Sequence, residues 1–285
     1  YANPELITTV AELKDMLADA EHREAHGEDN LVIVDVRAPE AFRKGHLPSA
    51  VNVPYTALTD PHAHTQGALR ADVDIADLLG EAGIDARSFV VLYDDEGGFR
   101  AARLFWLMEY FGHRHVSILN GGIGQWVASG EPLEQRPDQP AGGPQRMAGK
   151  HAAKVFAVNK TPRRFASADT IMARRGEPET VVVDVRPQSA FAAGHIPWAM
   201  NIPWKGNLSA DGTMLNDEAL AERFARFGVT PDMNVIIHCQ TGEASAHSYF
   251  ALRLLGYPRV RVYHRSWAEW GASDDLPKAG GDTAG

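Results

Sequence analysis

Residues 32–54 read VIVDVRAPEAFRKGHLPSAVNVP, and residues 181–203 read VVVDVRPQSAFAAGHIPWAMNIP. Aligned without a gap, with Asp35 on Asp184, the two stretches agree at 13 of 23 positions. Agreement of that extent at one fixed offset marks a duplicated domain. The correspondence runs on. FVVLYDDEGGFRAARLFWLMEYFGHRHVSILNGG begins at Phe89, and NVIIHCQTGEASAHSYFALRLLGYPRVRVYHRS begins at Asn234. Each reads as an apolar strand, a polar glycine-bearing loop, an amphipathic helix and a second short strand.

The strands in both copies are short unbroken apolar runs, such as Val181-Val182-Val183 and Val235-Ile236-Ile237. Runs of this kind suit parallel strands covered on both faces, with helices as the crossovers. The expected fold class is α/β, with two tandem domains, each a parallel sheet flanked by helices. The expected boundaries are 1–135 for the first domain, 136–154 for a linker rich in Pro and Gly, 155–278 for the second domain, and 279–285 for a small, polar, disordered tail.

Composition narrows the function classes. A length of 285 residues allows two cores of ordinary size. The formal net charge of −9 argues against nucleic acid or an anionic membrane surface as a partner. No apolar run approaches the ~18 residues of a membrane span. The expectation is a monomer in the cytoplasm, or in the periplasm if a leader was removed ahead of Tyr1. The single cysteine, Cys239, excludes an intrachain disulfide and a zinc site of several cysteines.

Cys239 directly follows the apolar strand Val235-Ile236-Ile237-His238, and a helical pattern starts near Ala246. It therefore occupies a strand-to-helix turn, at the carboxyl edge where open parallel sheets bind ligands. Free N–H groups and the positive end of the helix dipole meet there. Thiols in such settings ionise at about 3.5–7.5 rather than about 8.5, and the thiolate is the nucleophile. The loop Gln240, Thr241, Gly242, Glu243, Ala244 and Ser245 can then hold a persulfide or an oxyanion on its backbone donors. Strand alternation points His238 away from Cys239. Arg37 and Arg186 read as structural ion pairs, and His46 and His195 as partners of turn backbone.

These residues resemble the rhodanese family, specifically its tandem two-domain sulfurtransferases. The Asp-Val-Arg…Gly-His signature occurs twice, at Asp35 and Asp184. Cys239 in His-Cys-Gln-Thr matches the family's active cysteine. Arg265-Ser266-Trp267-Ala268-Glu269-Trp270 is similar to its Gly-Ser-Trp-x-Glu-Trp motif, and Tyr93 to Phe99 and Leu119 to Gly122 also look like tandem members. The resemblance implies two half-reactions: Cys239 takes a sulfane sulfur from thiosulfate as a persulfide, then yields it to cyanide or a thiol, with no metal or organic cofactor. In the first copy Asp94 aligns with Cys239 and cannot carry sulfur, so that domain is expected to be silent and to pack over the second, with Asp95, Glu96 and Phe99 near the interface.

The departures concern the donor. Ala244 and Ala190 stand where family members place a basic or hydroxyl residue, and Glu243 adds a negative charge. Arg265, after the strand Arg261-Val262-Tyr263, is a candidate for the missing anion contact, with Phe99 and Trp198 as further substrate-binding candidates. Three alternatives stand beside the thiosulfate reading. A 3-mercaptopyruvate sulfurtransferase would use the same thiol. A protein-persulfide sulfur carrier would turn small donors over slowly. A cysteine phosphatase would need an arginine six residues after the cysteine, where Ser245 stands.

Overall fold

The computed structural model describes residues 1–24, 30–135 and 152–281. In the first half, strands β1 (Ile7–Thr8), β2 (Leu31–Asp35), β3 (Val51–Asn52), β4 (Phe89–Tyr93) and β5 (Val116–Leu119) form a parallel sheet in the order β1-β5-β4-β2-β3. In the second, β6 (Thr180–Asp184), β7 (Ala199–Asn201), β8 (Asn234–His238) and β9 (Val260–Val262) run parallel in the order β7-β6-β8-β9. The first sheet is flanked by helices α1 (Val10–Glu24), α2 (Pro39–Lys44), α3 (Asp72–Glu81), α4 (Ala101–Tyr110) and α5 (Gly122–Ala128). Helices α6 (Ala168–Ala173), α7 (Gln188–Ala193), α8 (Asp217–Ala225), α9 (Glu243–Leu254) and α10 (Ser266–Trp270) flank the second. This is the tandem α/β arrangement that the repeat implies.

The repeated signature explains itself in the structure. Arg37 donates three side-chain hydrogen bonds to Asp35 and one to the Gly45 carbonyl; Arg186 does the same with Asp184 and Gly194. His46 Nδ1 and His195 Nδ1 each meet the carbonyl four residues earlier, on Phe42 and Phe191. A buried bidentate arginine–carboxylate pair holds the turn after β2 and after β6, so Asp, Arg, Gly and His recur for structural reasons.

The halves share one core. Helix α4 packs on its counterpart α9, and the corresponding residues Phe105 and Phe250 meet edge to face with centroids 5.0 Å apart. At the end of this interface Glu109 accepts from Arg253 at 2.9 and 3.0 Å and from Tyr249, with Arg164 at 4.0 Å. The amino terminus crosses over: Ala2 and Asn3 donate backbone N–H groups to the Leu254 carbonyl at the end of α9. Residues 154–161 lie against the first half. Lys154, Asn159 and Thr161 donate to Gly80, Phe111 and Tyr110, and Phe156 is buried beside Phe111.

Most of the expected linker, 136–151, lies outside the described residues. The tail departs from its expectation. Ala279 forms a two-way backbone pair with His195, and Gly281 donates to the Ala192 carbonyl. The pairing of His46 with Glu134 in the first half is the same device, so residues 279–281 are held where composition alone suggested disorder. Residues 282–285 lie outside the described residues.

Candidate active site

The order β7-β6-β8-β9 places the topological switch between β6 and β8, and Cys239 is the first residue beyond β8. Alternation decides which face it takes. Val235, Ile237 and Cys239 belong to the core shared with the first half, whereas Ile236 and His238 face the opposite side, His238 Nε2 lying 3.7 Å from Asp184. The thiol, buried at 2% exposure, therefore faces the first domain, and the adjacent histidine cannot serve it as a base.

Around the sulfur, the Gly242 N–H donates to Cys239 Sγ at 3.1 Å, and the Ser245 and Ser266 hydroxyls lie at 3.6 and 3.8 Å. The loop closes tightly because Gly242, at φ +95°, lies against the His264 carbonyl; an added Cβ would stand 2.4 Å from that oxygen. The Cys239 N–H donates to Ser266 Oγ at 3.0 Å, and that hydroxyl donates to the Tyr263 carbonyl at 2.8 Å. Trp267 and Ala268 N–H groups bind the carbonyls of Cys239 and Gln240. The Cys239 N–H and the carbonyls of Cys239 and Gln240 are thus tied to α10, which fixes the backbone that carries the sulfur.

The first half shows what such a loop is built to hold. Asp94 follows β4 as Cys239 follows β8, and its carboxylate accepts the backbone N–H groups of Glu96, Gly98, Arg100 and Ala101 at 2.9, 2.8, 2.7 and 3.0 Å. An anion at this position is gripped by converging amides. In the second half the corresponding position is taken by Cys239, whose Sγ accepts the Gly242 N–H.

A model of the rhodanese-like domain matches residues 9–129 and again residues 167–273. The chain belongs to the rhodanese family. It is 34% identical to the thiosulfate sulfurtransferase of Pseudomonas aeruginosa, over 88% of this chain and 92% of that one. It is 31% identical to the sulfur carrier protein TtuD of Thermus thermophilus, over 99% of both. The crystal structure of SseA from Escherichia coli, described with the catalytic mechanism of 3-mercaptopyruvate sulfotransferases, superposes with a TM-score of 0.75 at 26% identity, over 92% of this chain and 99% of that one.

Within this rhodanese, the structure brings together only some of the residues that the sequence suggested. Cys239 and the loop 240–245 form one unit. Phe99 lies at the domain interface, stacked on Trp204 at 4.5 Å, and Trp204 in turn meets His247 edge-on. Trp198 lies on the other face of the sheet, edge-on to Trp270 and under Arg175, in a separate apolar cluster from Cys239. Arg265 is half exposed, and its guanidinium is engaged by Glu269 at 2.9 Å. Among the described residues, no group of three or more His, Cys, Asp or Glu could hold a metal, and no helix is long and apolar enough to cross a membrane.

Two neighbours of the site were not foreseen. Ser266 holds the Cys239 N–H from a left-handed backbone position, φ 54°. Arg103, from the first half, is 1% exposed and donates to the Thr241 carbonyl at 2.9 Å. Its one available signal was a lone cation inside the apolar run Ala101-Ala102-Arg103-Leu104-Phe105-Trp106, since arginine is seldom buried without a partner. Two histidines nearby are kept neutral by burial: His264 is pushed down to about 3 and His247 to about 4.

Proposed function

We propose that this sulfurtransferase moves a sulfane sulfur from thiosulfate to a thiophilic acceptor through a persulfide on Cys239. The thiolate attacks the outer sulfur of the donor, a new S–S bond forms as the old one breaks, and sulfite leaves with the bonding pair. A cyanide or thiol acceptor then attacks the outer sulfur of the persulfide and returns Cys239 as thiolate. The observation that carries this reading is the Gly242 N–H on Sγ, in a loop whose counterpart grips a carboxylate with four amides. Donors fixed before the reaction stabilise charge on sulfur without reorganising.

The donor is the finer question. Residues 240–245, the loop after Cys239 and the first turn of α9, include Glu243, Ala244 and Ser245 and carry no cation of their own. That composition, and the likeness to SseA, support 3-mercaptopyruvate as a second donor to be measured beside thiosulfate. The likeness to a sulfur carrier supports transfer to a protein acceptor in place of fast turnover. Steady-state kinetics with both donors, with Cys239→Ser as control, tests the proposal. The expected result is turnover with thiosulfate, abolished in Cys239→Ser, and a mass increase of one sulfur atom on the intact parent protein treated with thiosulfate alone. Turnover in Cys239→Ser would end the reading.

A further inference from the structure

Arg103 is a buried cation with too few partners. Its side chain is 1% exposed, and it donates to the carbonyls of Thr241 and Gly67; the Glu243 carboxylate is 3.8 Å away. Its Nε is buried without a hydrogen-bond partner. Isolated charge is costly to bury, so such a cation is stable only if the site around it offers further negative charge.

The Thr241 carbonyl belongs to the peptide unit whose N–H, on Gly242, donates to Cys239 Sγ at 3.1 Å. In a planar trans peptide the C=O and N–H point in opposite directions. A guanidinium bound to the oxygen thus turns the hydrogen toward the sulfur. It also polarises the unit and strengthens that bond, as in any chain of cooperative hydrogen bonds. The first half makes room for this contact. Gly67, at φ +78°, lies so close that an added Cβ would stand 2.4 Å from the Thr241 carbonyl oxygen.

We propose that Arg103 is a positioning residue for Cys239, through which the half without a thiol orients and charges the Thr241–Gly242 peptide that holds the sulfur. This rests on Cys239 as the sulfur carrier. The second half alone has the nucleophile and the loop, and the site is incomplete without α4 of the first. Glu243 opposes Arg103 and tempers its field. The other ionisable groups around the loop do not compete near neutrality: His247 faces the Gly97 carbonyl, His264 stacks on Trp106 and meets Phe165 at a tilt, both are held neutral, and His238 lies on the far face with Asp184.

The test uses the full chain and a neutral alkylating reagent, iodoacetamide, whose reaction with the thiol requires no anion binding. Arg103→Gln should slow alkylation at neutral pH by about tenfold and move its pH profile to higher pH, and kcat/KM for thiosulfate should fall in parallel. Arg103→Lys should recover part of both. Glu243→Gln, a partly exposed position, should do the opposite: faster alkylation and a profile displaced to lower pH. Parent-like profiles in Arg103→Gln and Glu243→Gln would overturn the inference. If Arg103→Gln fails to fold, an unmoved profile in Glu243→Gln is enough to reject it. Cys239→Ser in the same assays keeps the two ideas apart, because persistent sulfur transfer there sinks the persulfide itself, whatever Arg103 does.

Discussion

Asp94 and Cys239 occupy the same place in the two halves, each the first residue after its central strand, and each is an acceptor for the loop that follows. The carboxylate satisfies four backbone donors at once, whereas Sγ takes the Gly242 N–H and has the Ser245 and Ser266 hydroxyls at 3.6 and 3.8 Å. The first half thus sets a carboxylate, held by four amides, where the second half has its thiol.

Removing the carboxylate should be costly. Asp94→Ala leaves four converging N–H groups without an acceptor, and an expected loss of about 2–4 kcal/mol should appear as a lower urea midpoint. Asp94→Asn, which keeps one carbonyl oxygen, should lose less. Equal midpoints for Asp94→Ala and the parent would refute the role assigned to this carboxylate.

Ser266 combines a strained backbone with a needed hydroxyl, and substitution can separate the two. Ser266→Gly relieves the φ of 54° but deletes the acceptor of the Cys239 N–H. Stability should stay within about 1 kcal/mol of the parent, because strain relief offsets the lost hydrogen bond. Thiosulfate turnover should fall by about tenfold, since the thiol loses part of its anchor. Ser266→Ala keeps the strain and loses the bond, so it should be the less stable of the two in thermal unfolding.

The domain interface depends on Glu109. Burial raises the cost of its charge, but Arg253, Arg164 and Tyr249 hold its carboxyl below the usual range. Glu109→Gln leaves two arginines facing each other without a counter-charge, and about 3–5 kcal/mol should be lost. Because α4 and α9 join the halves here, urea unfolding followed by tryptophan fluorescence should broaden or split into two transitions. A single transition at the parent midpoint would show that the network is dispensable.

Acid should destabilise the protein through His247. Buried between Trp204 and the Gly97 carbonyl, it binds a proton only near pH 4, whereas in the unfolded chain it does so near 6.5. The unfolded state thus takes up the proton first. The stabilisation is complete above pH 6.5 and is lost as pH falls toward 4, by on the order of 2–4 kcal/mol. His264, held down to about 3, extends the loss to lower pH. Melting temperatures measured from pH 7 to pH 4 should fall less steeply in His247→Gln than in the parent.

Much of this was legible in the sequence because it is local. The repeat disclosed two domains, the apolar runs their parallel strands, and the strand–Cys–glycine–helix order placed Cys239 on the carboxyl edge with its loop. Asp94 as the counterpart of the thiol follows from the same alignment, and so do the paired roles of Arg37 and Arg186. What only the tertiary structure decided lies across the sheet and across the domain interface. The turn before β7 set Trp198 on the face of the sheet opposite Cys239, and docking of α4 on α9 brought Arg103 from 138 residues away to the Thr241 carbonyl. Residue order determines which backbone groups meet within a turn. Which side chain of one domain reaches a loop of the other depends on how two helix faces pack, and no short stretch of sequence carries that information.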